Sequence, residues 1–158
     1  MRLKFVPISS EKVRDLQNGG LDFYGNLPIK LISDGGGIPC RHCLEDIAEG
    51  DGYLALAFGP FADQHAYAEV GPIFVHSKKC HAYSGKVIPT SFLTREHYIM
   101  RAYSKRTKAI IYGSGKRVGS DKITVEAHKL FEKMDTDFIH LRSASYTCFA
   151  CRVERDEE

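Results

Sequence analysis

Hydrophobic and polar residues recur along the chain in patterns that predict two helices. Val13 and Leu16 follow two serines that suit a helix start, and Asn18-Gly19-Gly20 suits its end, so a first helix is predicted to Gln17. A second amphipathic helix is predicted from about Asp121 to Met134, because apolar residues recur there every three or four positions. These residues are Ile123, Ala127, Leu130, Phe131 and Met134.

Short apolar or alternating runs predict the strands. They lie at residues 2–6, 28–33, 53–58, 71–76, 96–103, 108–112, 138–142 and 147–153. The runs at 96–103 and 108–112 are predicted to form a hairpin, and Leu44–Gly50 is predicted to form one short helical turn. Runs of strands broken by only two helices predict an α+β fold with a largely antiparallel sheet and a cysteine/histidine knuckle region.

Length and composition narrow the class of protein. The 158 residues, 43% hydrophobic and 27% charged, predict a single domain over residues 1–158 with a core that needs no metal to form. A net charge of +2 argues against a dedicated nucleic-acid-binding protein. No apolar run approaches the ~20 residues that span a bilayer, and the N-terminus lacks a secretion signal, so we predict a cytoplasmic location without a membrane partner. The sequence identifies no specific protein partner, substrate or oligomeric state.

The cysteines carry the most informative chemistry. Five cysteines cannot all form intramolecular pairs, and a reducing cytoplasm disfavours disulfides. Cys40 and Cys43 have the Cys-x-x-Cys spacing of a metal knuckle, in which a turn brings two thiolates to one ion. His76 and Cys80, at a predicted strand end and the turn after it, are the best further ligands. The four predict a tetrahedral Cys3His zinc site that is largely structural, with His42 and His81 as adjacent substitute ligands.

A second Cys-x-x-Cys pair, Cys148 and Cys151, is not predicted to complete the site. Residues three apart on a strand point to opposite faces, and no turn-forming residue separates these thiols. Packing is the favoured role for Cys151, whereas ligation and packing stay equally open for Cys148.

Other interpretations of the same residues stay open, and the sequence does not decide whether the protein is an enzyme. Cys40 and Cys43 could serve as a thiol-redox pair, since Arg41 and His42 would favour a thiolate. His65 could act as a base in a metal-assisted hydrolase. The cysteines could also be separate, reduced and buried. In that case the function could lie in a basic hairpin, a binding module formed by Lys105, Arg106, Lys108, Lys116, Arg117 and Lys122.

Three segments resemble a family of bacterial proteins known as domain-of-unknown-function family 1203. They are Pro39-Cys-Arg-His-Cys-Leu44, Gly59-Pro-Phe61 and Tyr67-Ala-Glu-Val-Gly-Pro-Ile-Phe-Val-His76 with Cys80. The resemblance extends over most of the chain, to the segment Cys148–Arg155. It implies a bacterial single-domain protein, directs attention to residues 39–81, and implies no particular activity.

Overall fold

The computed structural model describes residues 1–157 and confirms the α+β fold. The strands are β1 (Arg2–Val6), β2 (Ile29–Ile32), β3 (Gly52–Phe58), β4 (Gly71–His76), β5 (His97–Ser104), β6 (Lys116–Gly119), β7 (Thr136–Ser143) and β8 (Phe149–Asp156). The helices are α1 (Ser10–Gln17) and α2 (Ile123–Phe131), with short 3-10 helices at Thr90–Thr94 and Ser120–Lys122. Within residues 1–157, no helix is both long enough and apolar enough to span a membrane.

The chain divides into two compact units, and the prediction of one domain over residues 1–158 stays a prediction. The C-terminal unit comprises Met1–Val6 and the chain from Ser84 onward. Its five strands form an antiparallel sheet in the order β1-β8-β7-β5-β6, and α2 contacts β6 and β7. Ile123, Ala127 and Leu130 are the apolar positions of α2 that the periodicity predicts to face inward, and all are buried.

The N-terminal unit, Pro7–Tyr83, contains α1 and a three-stranded antiparallel sheet in the order β2-β3-β4. Leu54 of β3 lies opposite Val75 of β4, and Leu56 lies opposite Ile73, so one face of the sheet buries a row of branched side chains. Helix α1 begins at the N-cap Ser9, whose hydroxyl accepts a hydrogen bond from the Lys12 backbone N–H at 3.3 Å.

Two local predictions are wrong, and one predicted helix is too long. Residues 108–112 are not a strand, because the chain turns tightly after β5 through Lys108 at φ 62° and keeps only an isolated bridge between Tyr103 and Ile110. The partner of β5 on that side is β6. Leu44–Gly50 is not helical either, because Leu44 adopts a left-handed φ of 59°. Helix α2 is shorter than predicted, ending at Phe131 and leaving Met134 exposed.

Candidate metal centre

The loop between β2 and β3 presents Cys40 and Cys43 on a tight turn. The Leu44 N–H donates to the Cys40 carbonyl at 3.0 Å, and the Cys40 N–H donates to the Glu45 carbonyl at 2.9 Å. The positive φ of Leu44 reverses the chain immediately after Cys43. These features fix both cysteines on one turn, as a knuckle requires.

His76 and Cys80 come from the end of β4 and the turn that follows it. His76 is the last residue of β4 and lies opposite Tyr53 of β3, so the sheet fixes its backbone. The Arg41 N–H donates to the Phe74 carbonyl at 2.9 Å, which attaches the cysteine turn directly to β4. Residues far apart in sequence are thus held side by side by backbone hydrogen bonds.

Helix α1 braces the β4 end of the cluster. The Arg14 guanidinium donates to the Cys80 carbonyl at 2.6 Å. The Gln17 side-chain amide donates to the carbonyls of His76 at 2.9 Å and Lys78 at 2.8 Å. Two side chains one turn apart on α1 therefore fix the turn that carries His76 and Cys80.

The four predicted ligands come together. One donor atom from each of Cys40, Cys43, His76 and Cys80 lies within 4.8 Å of every other. The Sγ atoms of Cys40 and Cys80 are 4.0 Å apart, and Cys43 Sγ is 3.6 Å from His76 Nδ1. A tetrahedral zinc with ordinary bond lengths separates two sulfurs by about 3.8 Å, and a sulfur from a nitrogen by about 3.6 Å. Both measured edges are close to those values.

Burial and hydrogen bonding divide the four clustered side chains into one inner and three outer ones. Cys40 is 0% exposed, whereas Cys43, His76 and Cys80 are half-buried. The His76 backbone N–H points at Cys40 Sγ at 3.4 Å, an arrangement that favours a thiolate as acceptor.

The ionisation of the four clustered side chains is mutually linked. Hydrogen bonds from the thiols of Cys43 and Cys80 lower the pKa of Cys40. The hydrogen bonds of Cys43 with Cys40 and then with Cys80 raise the pKa of Cys43. The hydrogen bond to Cys40 raises the pKa of Cys80 to about 11, and hydrogen bonds to Cys40 and then Cys43 raise the pKa of His76 to about 10. A metal bound by these groups would have to displace the protons that they share, so binding would depend on pH.

His42 contacts the cluster in a role that the sequence did not predict. It is 0% exposed, its Nδ1 lies 3.0 Å from Cys80 Sγ, and its Nε2 lies 2.9 Å from the Ser10 hydroxyl. Burial lowers the pKa of His42, which favours a neutral ring with one N–H. If Cys80 binds a metal, its sulfur can only accept, and Nδ1–H would then donate to Cys80 while Nε2 accepts from Ser10. The one sequence signal for this contact is that His42 lies between Cys40 and Cys43.

The other candidate residues lie outside the four-residue group. His81 is exposed, and the His65 Nδ1 accepts a hydrogen bond from the Tyr67 N–H at 3.1 Å. Cys151 is buried in β8, opposite Leu141, and half-buried Cys148 precedes that strand.

Part of the predicted basic hairpin is engaged in local pairs. Lys108 lies 3.4 Å from the Asp137 carboxylate, and Lys116 forms an ion pair with Glu126. Arg117 contacts the His97 ring at 3.0 Å. The positive charge of these residues is therefore partly balanced within the chain.

Comparison with known proteins gives a family and no activity. A family model described as "Protein of unknown function (DUF1203)" matches residues 37–155, a span that contains all four cluster residues. No curated protein and no solved structure matches the chain. The match covers well over half of the sequence, so the chain belongs to the DUF1203 family.

Proposed function

We propose that this DUF1203 protein binds one zinc ion through Cys40, Cys43, His76 and Cys80, and that the ion has a structural role. The observation that carries the proposal is the convergence of four donor atoms within 4.8 Å, from segments more than thirty residues apart in sequence.

The donor set favours zinc over other common cations. Three thiolates and one imidazole are soft or borderline ligands, which suit zinc and do not suit magnesium or calcium. Zinc accepts a tetrahedral arrangement of these donors without a preference imposed by d-electrons. Two of the donor–donor distances, between Cys40 and Cys80 and between Cys43 and His76, are close to those of that geometry.

The surroundings of the cluster favour a structural over a catalytic ion. Four protein donors complete a tetrahedron and leave no position for water or substrate, which is typical of structural sites. The ion would join the turn that carries Cys40 and Cys43 to the end of β4. Zinc binding therefore contributes to the stability of the N-terminal unit, since the unfolded chain holds no such arrangement.

The alternatives receive less support from the geometry. A redox role expects an accessible, activated thiol, whereas Cys40, the thiol whose pKa is lowered, is 0% exposed. The proposal includes a cytoplasmic location in a bacterial cell, because thiolate ligands stay reduced there.

Metal content and stability test the proposal together. Protein purified without chelator is expected to contain one zinc per chain by mass spectrometry of the metal, and removal of zinc is expected to lower the unfolding temperature. Cys43→Ser and Cys80→Ser are expected to lose both the metal and that stabilisation. Cys148→Ser is the matched control, since it removes a half-buried thiol outside the cluster. Metal-free wild type, or equal zinc in Cys43→Ser and wild type, would contradict the proposal.

A further inference from the structure

A short segment of the N-terminal unit exposes an unusual amount of apolar surface. Seven large apolar side chains within twelve residues are each 41–69% exposed, and we call them the β2 edge patch. They are Leu21, Phe23, Tyr24, Leu27, Ile29, Leu31 and Ile32. With about 200 Å² for one fully exposed large side chain, the seven together expose roughly 800 Å² around this edge. Successive residues of a strand point to opposite faces, so Ile29 and Leu31 lie on one face of the sheet and Ile32 on the other. Exposed apolar side chains grouped around one strand edge mark an interaction site.

The patch surrounds an open sheet edge. Strand β2 is the outer strand of the order β2-β3-β4, and all four of its residues are exposed. Just beyond the strand, the Ser33 N–H donates to the Asp51 carbonyl at 2.8 Å. Antiparallel hydrogen bonding alternates, so Ile29 and Leu31 also direct their N–H and C=O groups to β3. The backbone groups of Lys30 and Ile32 therefore point outward and can pair with another strand.

We propose that this edge pairs with the same edge of a second copy of the chain, forming a two-fold symmetric dimer. Two identical antiparallel strands meet about an axis perpendicular to the sheet, which keeps equivalent faces on the same side. The two-fold axis then passes beside a single residue of β2. If that residue is Leu31, Leu31 lies opposite Leu31 of the second copy. The backbone of Lys30 in each strand then forms hydrogen bonds with the backbone of Ile32 in the other.

The neighbouring register, centred on Lys30, is unfavourable. It would place two like charges directly opposite each other, which destabilises a strand pair. It would also require a hydrogen bond from the residue opposite Ile32, and that residue is Pro28, which has no N–H. The charge of Lys30 thus disfavours that register without protecting the edge, as more charged residues would do.

The size of the patch favours a second copy as the occupant. If each protomer buried all of this area, the total would be roughly 1,600 Å², the size of a standard stable interface, so the exposed area is large enough for a second copy. The same seven side chains supply both halves of such an isologous interface, so no other apolar surface is needed.

A charge-swap experiment tests the dimer at its axis. Wild type is expected to sediment as a dimer at about 100 µM, a concentration ample for a standard-size interface. Leu31→Lys and Leu31→Glu each place like charges across the axis and are expected to raise the dissociation constant by at least about 100-fold. An equimolar mixture of the two variants is expected to recover a heterodimer, because opposite charges then meet.

Val125→Lys is the matched control, since Val125 is an apolar side chain of α2 that is 52% exposed outside the patch. It is expected to leave the dimer intact, and circular dichroism checks that all variants fold. A monomeric wild type would overturn the proposal and assign the patch to a different partner, such as an extended apolar peptide. A dimer that tolerates both Leu31 variants, or variants that stay monomeric when mixed, would overturn the interface and its register.

Discussion

Replacement of His42 tests whether the contacts around the proposed ligands, and not the ligands alone, determine metal affinity. His42→Ala removes the Nδ1–H contact with Cys80 Sγ at 3.0 Å and leaves the Ser10 hydroxyl without that partner. A hydrogen bond to a charged acceptor contributes about 1.5–3 kcal/mol, which corresponds to roughly 10–100-fold in binding. Loss of a group that orients a metal ligand costs a similar 10–100-fold in affinity. We therefore expect zinc affinity to fall by one to two orders of magnitude.

Two companion variants separate the hydrogen bond from the loss of side-chain volume. In His42→Asn the amide N–H can take the place of Nδ1–H and is expected to restore part of the affinity. His81→Ala removes an exposed neighbour of Cys80 and is expected to change nothing. Zinc affinity is measured by competition with a chromophoric chelator, and cobalt replacement reports the sulfur-to-metal charge-transfer bands. Unchanged zinc affinity and unchanged charge-transfer bands in His42→Ala would show that the contact between His42 and Cys80 does not contribute to metal binding.

Three further predictions concern stability, each measured by chemical denaturation. Leu44→Ala removes a side chain that is 2% exposed on the cysteine turn, so we expect a loss of about 2–4 kcal/mol in unfolding free energy, and a negligible loss would contradict it. Lys116 and Lys129 lower the pKa of Glu126 from 4.5 to about 2. Glu126→Gln should therefore be less stable than wild type above pH 4.5, and this difference in stability should vanish as the pH falls through 2. A difference that does not depend on pH would contradict the prediction. Burial, with Arg142, Arg152 and Arg101, lowers the pKa of His140 well below 6.5, so the stability from its neutral form is lost as pH falls below 6.5. His140→Phe should remove this loss of stability at low pH. An equal loss of stability in His140→Phe and wild type would contradict the prediction.

Patterns that depend on neighbouring residues predicted most of the regular structure. The alternation at Gly71–His76 gives β4 at its observed bounds, and the apolar spacing of Val13 and Leu16 gives the buried face of α1. Such periodicities reflect which side of an element faces the core, so they can be recognised without knowledge of the fold. That Cys40, Cys43, His76 and Cys80 come together was predicted for a similar reason, because Cys-x-x-Cys and a strand-end histidine have local requirements.

The errors arose where tertiary contacts override local preference. Leucine favours helix, yet Leu44 takes a left-handed conformation because its N–H closes the turn on Cys40 and its side chain is buried. Residues 108–112 have strand-like composition, but β5 pairs with β6, and the buried Ser114 hydroxyl bonds to the backbone of Ala102. Sequence alone could not indicate which of two nearby segments β5 would choose.

The contacts around the site were the least predictable part. The bracing of the β4 turn by Arg14 and Gln17 depends on how α1 lies beside residues about sixty positions away. The contact of His42 with Cys80 depends on the direction of one buried ring. Neither follows from spacing, because both are properties of the assembled unit.

X-ray absorption at the zinc edge of gently purified protein counts the atoms that bind the metal. We expect one zinc per chain, with three sulfurs at about 2.3 Å and one nitrogen at about 2.0 Å. In His76→Ser the nitrogen shell is expected to disappear while the sulfur shell stays. A protein without zinc, or a zinc shell composed mainly of oxygen and nitrogen, would contradict a Cys3His zinc site.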